Sequence, residues 1–315
     1  MKGKEVCFMK MYILKKVAML IPILLAVSFL VFLMQAAIPG DPVEAMFAGQ
    51  VPDEETVENL RAQLGLDQPL HVQYFSYISN AVQGDLGTSI RTGRPVIEEI
   101  SERYSNTLIL AVASLLIAIV VGVGLGIISA MKKDSIIDTL STIVALLGVS
   151  MPSFWLGLLL MYLFAVNLKL LPVMGSESWA HLILPALTMG LISAGIIMRM
   201  VRSSLLEVFQ QDYIRTARSK GIKERKVVIK HALKNALIPV ITVVGLQFGF
   251  LLGGAFIVEN VFAWHGLGQL AVQALGTRDF PLVQGIILVV ASTYVLVNLL
   301  IDILYSLIDA RVSYE

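Results

Sequence analysis

Charge placed inside apolar sequence is where chemistry would first be sought in this chain. Glu259, Arg199 and Asp302 stand within long apolar runs, and an ionisable group at membrane depth is a functional candidate by default because burying it uncompensated is costly. Glu259 could gate a pathway or touch a solute; equally, it could cap a helix or hold a neighbouring backbone group at the interface. Arg199 and Asp302 suit structural roles, snorkelling or pairing near a helix end. His71, His181, His231 and His265 are scattered, and Cys7 is the single cysteine. No metal-ligand spacing and no disulfide framework can be built from them, so no metal ligand and no catalytic group is assigned. The chain also lacks a G-x-x-x-x-G-K-[ST] phosphate loop, and ATP hydrolysis on it is not expected.

The elements that must position these groups follow from composition. Of the 315 residues 57% are hydrophobic and 15% charged, and the mean hydropathy is +0.79. Apolar runs of roughly 18 residues or more are what a bilayer core about 30 Å thick demands of a helix. A net charge of +1 provides no global basic field for nucleic acid, so charge here speaks to topology and to contact with lipid.

Read along the chain, a basic tail (1–16) precedes a first span (17–37), which Pro39-Gly40-Asp41-Pro42 closes. Residues 38–106 are mixed and patterned, with a helix-like stretch at 52–64, a turn at Gly84-Asp85-Leu86-Gly87 and an amphipathic piece at 96–103. They predict a small folded excursion. A transmembrane core at 107–308 follows, with spans at 107–130, 136–166, 182–201, 239–261 and 282–308, and a short tail at 309–315. Gly122 and Gly126 in the second span form a small-xxx-small pair that permits close helix approach. Pro152 interrupts the third span, leaving one broken or kinked crossing or a short hairpin. The positive-inside rule selects one crossing, since that places the basic N-terminal tail, Lys132, Lys133, the 202–234 segment and Arg311 together on the cytoplasmic side. The expectation is an all-α membrane protein with six transmembrane helices, both termini cytoplasmic and the excursion outside.

The most basic segment is a cytoplasmic loop, 202–238, predicted as a subdomain of short amphipathic helices. Asp212 to Lys220 reads as one helix, Gly221 breaks it, and 223–233 reads as a second, with Val227, Val228, Ala232 and Leu233 as an apolar ridge among cations. Glycine at such a join tolerates positive φ and close backbone approach. The plain alternative is an ordinary positive loop facing anionic lipid headgroups. In the fifth span Gly245, Gly249 and Gly253 recur every four residues, which suits helix packing or a pathway lined by backbone.

Arg215-Thr216-Ala217-Arg218-Ser219-Lys220-Gly221, then His231-Ala232-Leu233-Lys234-Asn235-Ala236 and Pro239, resemble the "EAA" loop of ABC importer permeases. Arg215 stands where that signature has its glutamate and Lys234 where a proline often follows the leucine. Both departures resemble the first permease subunit of the peptide, nickel and glutathione importers. The resemblance extends over nearly the whole chain, through Pro39-Gly40-Asp41-Pro42, Gln63-Leu64-Gly65-Leu66-Asp67-Gln68-Pro69-Leu70, Gly84-Asp85-Leu86-Gly87 with Ser89, Gly253-Gly254-Ala255 with Glu259 and Phe262, Gly266-Leu267-Gly268, Arg278-Asp279-Phe280-Pro281 and Asp309-Ala310-Arg311. The stretches 77–84 and 245–249 look closest to glutathione importer permeases.

The resemblance implies a type I ABC importer permease fold of the MetI-like kind in a bacterial or archaeal plasma membrane. It implies a second, homologous permease subunit, one or two ABC ATPase subunits that carry ATP and Mg, and an extracytoplasmic solute-binding protein. The cargo would be a di- or oligopeptide, glutathione or nickel. Tyr213, Arg215, Ala217, Gly221, His231 and Asn235 then become the residues that seat the ATPase, and Glu259, Gly249 and Gly253 the pathway or gate candidates. An ion-coupled secondary transporter is the rival class, and it would need midplane charges and an internal repeat, neither of which is evident.

Overall fold

The apolar runs form helices because a backbone in lipid must satisfy its polar groups internally. The computed structural model describes residues 18–33, 53–63, 65 and 67–308. The expected N-terminal tail with Cys7, the Pro39-Gly40-Asp41-Pro42 stop, the C-terminal tail and the side chain of Asp302 lie outside the described residues. In chain order the helices are α1 (Ala18–Leu33), α2 (Glu54–Gln63), α3 (Leu70–Val82), α4 (Val96–Met131), α5 (Ile136–Ser150) and α6 (Ser153–Leu160), the last continuing as a π-helical turn over Met161–Asn167. There follow α7 (Trp179–Phe209), α8 (Asp212–Ser219), α9 (Glu224–Val261), α10 (Leu267–Gly276) and α11 (Phe280–Ile308). Among the described residues the only strand-like pairing is one antiparallel bridge between Thr88 and Pro95.

Four helices, α4, α7, α9 and α11, are long and apolar enough to cross a membrane, while α1 is shorter over its described part. The α5–α6 pair is bent by 111°, far more than the kinked crossing expected for 136–166. Met151 (ψ 134°) and Pro152 (ψ 136°) are both extended, as proline and the residue before it prefer, so the helix stops and restarts in a new direction. The 15 residues of α5 rise only about 22 Å, too little to cross alone.

Two other boundaries differ from expectation. The amphipathic piece at 96–103 is the first part of α4, continuous with the span. The second helix of the basic loop and the fifth span are likewise one run, Glu224–Val261. Pro239 lies inside it without ending it, and a π-helical turn over Val227–Ala232 precedes it. The basic loop is therefore no subdomain of short helices: α7 and α9 extend into it, and only α8 stands between them.

The chain divides into two compact units, residues 1–105 with 266–295, and 106–265 with 296–315. In the first, Tyr74 of α3 ties to α1: its hydroxyl is 3.0 Å from Ser28 Oγ and donates to the Leu25 carbonyl at 3.1 Å, with its ring edge-on to Phe29. Tyr104 of α4 meets Thr293 of α11 at 2.9 Å.

In the second unit α7 is the central element, with 67% of its most apolar window buried against 28% for α4. Glycines set the distances. Gly122 and Gly126 of α4 face α7, where an added Cβ would lie 2.8 Å from the Ala194 carbonyl oxygen and 2.7 Å from Val201 respectively. Gly195 of α7 does the same toward α5, 2.5 Å from the Ala145 carbonyl oxygen. Ile136, Leu140, Val144 and Leu147 on α5 remain exposed, as lipid-facing residues would. A Gly195→Ala variant is thus expected to lose about 1–3 kcal/mol through overpacking against immovable backbone. Gly124→Ala, with no atom within 4 Å of the added Cβ, should lose nothing, and thermal unfolding of the two purified variants checks the contrast.

Candidate functional site

The site begins with an eight-residue helix that could not persist alone. Ile214 and Ala217, three residues apart on α8, are buried (0% and 7% exposed) while every other residue of the helix is exposed. They join Val201 and Leu205 of α7 and Val227 and Ala232 of α9 in one apolar cluster. The ridge Val227, Val228 and Ala232 therefore faces inward, as the anvil on which α8 sits. Asp212 in the first turn and Arg218 in the last complement the helix dipole.

The end of α8 is a closed turn. The Gly221 N–H donates to the Arg218 carbonyl at 2.9 Å and the Ile222 N–H to that of Ala217 at 3.4 Å, with Gly221 at φ +74°. Arg218 ties three helices at this corner. It donates to Glu224 of α9 at 2.6 and 3.2 Å and lies 5.3 Å from the Phe209 ring at the end of α7. The hydrogen bond to Glu224 raises the Arg218 pKa further, against the opposing effect of burial. Half-exposed as it is, such a pair adds little energy, ~0–1 kcal/mol, and serves mainly to fix geometry.

Of the residues singled out in this loop, Tyr213 and Asn235 meet, Asn235 Nδ2 donating to the Tyr213 hydroxyl at 2.7 Å. Ala217 is turned into the core. Arg215 projects outward with 79% of its side chain exposed and only a 3.7 Å contact to Asp212, Gly221 is exposed, and His231 is half-buried on α9. The outward face is thus Tyr213, Arg215, Gly221 and Asn235, a polar and cationic surface around one glycine.

The pathway candidates separate. Gly253 is exposed and lines an apolar cavity of about 530 Å³ with Val149, Met151, Met189 and Phe250, at the bend between α5 and α6. Gly245 packs against Ile301 and Gly249 is buried. Glu259 is fully buried and accepts from Thr107 Oγ1 at 2.7 Å, joining α9 to α4. The nearby Trp264 Nε1 donates to the Asn106 carbonyl at 3.0 Å.

Sequence reading missed Asp138. Its carboxylate accepts from Arg202 Nε and Nη2 at 2.7 Å each, from the Asp134 N–H at 3.0 Å and from the Ser129 hydroxyl. It thereby ties the end of α4, the start of α5 and the late turns of α7. The pattern Ser135-x-x-Asp138, in which Ser135 caps α5 by accepting from the Asp138 N–H at 3.3 Å, was the available local signal. Ser89 and Asp279, from two stretches that carried the resemblance, also meet, at 2.5 Å.

Long apolar helices of membrane-spanning length thus carry one short amphipathic helix, α8, seated between α7 and α9 with its other face exposed. Residues 122–314 match the family of binding-protein-dependent transport system inner membrane components, and residues 9–111 match the family describing their N-terminal part. The chain belongs to this family: it is an inner-membrane permease of an ABC importer, which works with an ATPase and a binding protein. It is 47% identical over 304 residues, 96% of this chain and 99% of theirs, to the glutathione transport system permease proteins GsiC of Escherichia coli strain K12, Salmonella typhimurium strain LT2 and Shigella dysenteriae serotype 1. Among solved structures it is similar to an inward-facing methionine ABC transporter, MetNI, with a TM-score of 0.59 at 18% identity, covering 67% of this chain and 96% of that one. That likeness gives the fold, a type I importer permease.

Proposed function

We propose that this chain forms half of the pathway of an importer for small peptides, glutathione among them, and pairs with a second, homologous permease subunit. The observation that carries the substrate reading is the 47% identity running over 96% of the chain to permeases named for glutathione. In this reading the chain is not itself an enzyme: ATP and Mg bind on the ATPase subunits, which grip the outward face of α8. Lys132, Lys133 and the α8 corner lie in the cytoplasm, as do both termini. The receptor delivers solute from the opposite side of a bacterial or archaeal plasma membrane. Because α8 is cradled by α7 and α9, and α9 runs unbroken from Glu224 to Val261, a push on α8 moves a transmembrane lever directly.

The test is ATP-dependent uptake of a labelled dipeptide by cells with and without this subunit. Uptake should disappear on deletion, and excess glutathione should compete. Unchanged dipeptide uptake with reduced nickel accumulation would overturn the peptide reading and leave the permease class intact.

A further inference from the structure

The helix α3 of the first unit has three distinct sides. Tyr74, Tyr77, Ile78 and Ala81 are half-buried and form its packed side. Val72, Phe75 and Val82 are 40%, 68% and 83% exposed, and at 3.6 residues per turn they share one flank, with Ser79 the single polar residue among them. The opposite flank holds Gln73, Ser76 and Asn80. The helix contains no acid, lysine or arginine, so no charge opposes its resting against an apolar phase.

Its neighbour sets its height. The Tyr74 hydroxyl donates to the Leu25 carbonyl at 3.1 Å and lies 3.0 Å from Ser28 Oγ, and its ring stands 5.3 Å from that of Phe29 and 5.5 Å from that of Phe32. All four belong to α1, which exposes Ile21, Ile23, Leu25, Phe29 and Leu30 on several sides, as a helix standing in lipid does. Phe32 precedes residue 37, the end of the first span as read from the sequence, by five residues, a rise of about 8 Å. The Tyr74 ring is then level with the acyl chains, and α3 lies one side chain's length away. Interfacial helices sink to that depth, about 5–10 Å into the boundary between headgroups and chains. Tyrosine, with an apolar ring and a polar tip, is enriched there.

We propose that α3 is an interfacial helix, with Val72, Phe75 and Val82 among the acyl chains of the outer leaflet and Gln73, Ser76 and Asn80 facing water. The occupant of the apolar flank is lipid because that flank continues, at the same depth, the exposed apolar surface of α1. A receptor arriving from water meets the polar flank instead. Lipid contact thereby ties the excursion to the membrane. The proposal rests on the reading of 17–37 as a span that ends on the outer side, which sets the leaflet.

The test uses the assembled transporter in lipid nanodiscs without receptor, with Cys7→Ser in this chain and cysteine-free partner subunits. Phe75→Cys, Val82→Cys, Ser76→Cys and Asn80→Cys each carry one nitroxide. Collision with oxygen, which concentrates among acyl chains, is compared with collision with a water-soluble nickel chelate. The oxygen-to-chelate ratio should be about fivefold or more higher in Phe75→Cys and Val82→Cys than in Ser76→Cys and Asn80→Cys. Equal ratios on the two flanks put α3 in water and overturn the proposal. Weak collision with both reagents on the apolar flank means that a protein covers it, and overturns the proposal as well. Failure of the underlying topology looks different. In intact cells a membrane-impermeant thiol reagent should label Asn80→Cys from outside; labelling only after the membrane is opened would invert the topology while leaving the contrast between flanks in place.

Discussion

Replacing Gly221 by valine is expected to reduce ATP-driven uptake to background while leaving the protein inserted in the membrane at near-normal level. The reason is the backbone and not crowding, since nothing lies within 4 Å of a Cβ built there. Gly221 sits at φ +74°, where an L-residue costs about 1–2 kcal/mol and a β-branched one more. Relief of that strain would open the Gly221 to Arg218 and Ile222 to Ala217 hydrogen bonds that close α8. Ile214 and Ala217 are the only buried side chains of α8. A penalty of about 2 kcal/mol lowers the seated population by ~30-fold. Insertion is driven by the long spans and should not notice. Asparagine tolerates this conformation better than alanine, and alanine better than valine, so uptake should fall in the order Gly, Asn, Ala, Val. Normal uptake by a well-inserted valine variant would remove α8 as the coupling element.

Much of this arrangement is legible in sequence because its signals are local. Apolar runs mark the long helices, and Gly221 marks the corner through its own conformational freedom. What is not legible depends on context. Pro239 reads as a helix start by its own chemistry, yet the helix passes through it after a π-helical turn that no residue pattern announces. Pro152 reads as an interruption, but the size of the bend, 111°, comes from Met151 and Pro152 both being extended, which the interruption alone does not specify. Gly245, Gly249 and Gly253 share a spacing and meet different fates, one against Ile301, one buried and one in open space, because their neighbours come from other helices. Long-range pairs are the extreme case: Thr107 with Glu259, Ser89 with Asp279 and Asp138 with Arg202 lie 152, 190 and 64 residues apart. Glu259 stands out alone as a charge in an apolar run, but its partner Thr107 does not, and Arg202 reads simply as the first cation of a basic loop.

That last pair sets the second large expectation, a loss of about 3–5 kcal/mol in Asp138→Ala, seen as a lower unfolding temperature and lower abundance of the assembled transporter. Hydrogen bonds between membrane helices are worth only ~0.6 kcal/mol on average, so counting them would predict far less. The larger figure follows from the charge left behind. The Arg202 side chain is 29% exposed and that of Asp138 6%, and removing the carboxylate strands a partly buried guanidinium together with the Ser129 hydroxyl and the Asp134 N–H. Exchanging the two residues, Asp138→Arg with Arg202→Asp, should not restore stability, because position 138 is surrounded by donors that suit a carboxylate and oppose a cation. Replacing both by apolar residues, Asp138→Leu with Arg202→Met, should recover most of the loss, as buried pairs often tolerate removal together. This recovered variant also isolates function. Arg202 lies seven residues before Phe209, the last residue of α7 and the stacking partner of Arg218. If uptake stays low in the stable double variant, the ion pair positions α8 for coupling; if uptake returns with stability, the pair acts only to hold α4, α5 and α7 together. A change below about 1 kcal/mol in Asp138→Ala would show that water already screens the pair.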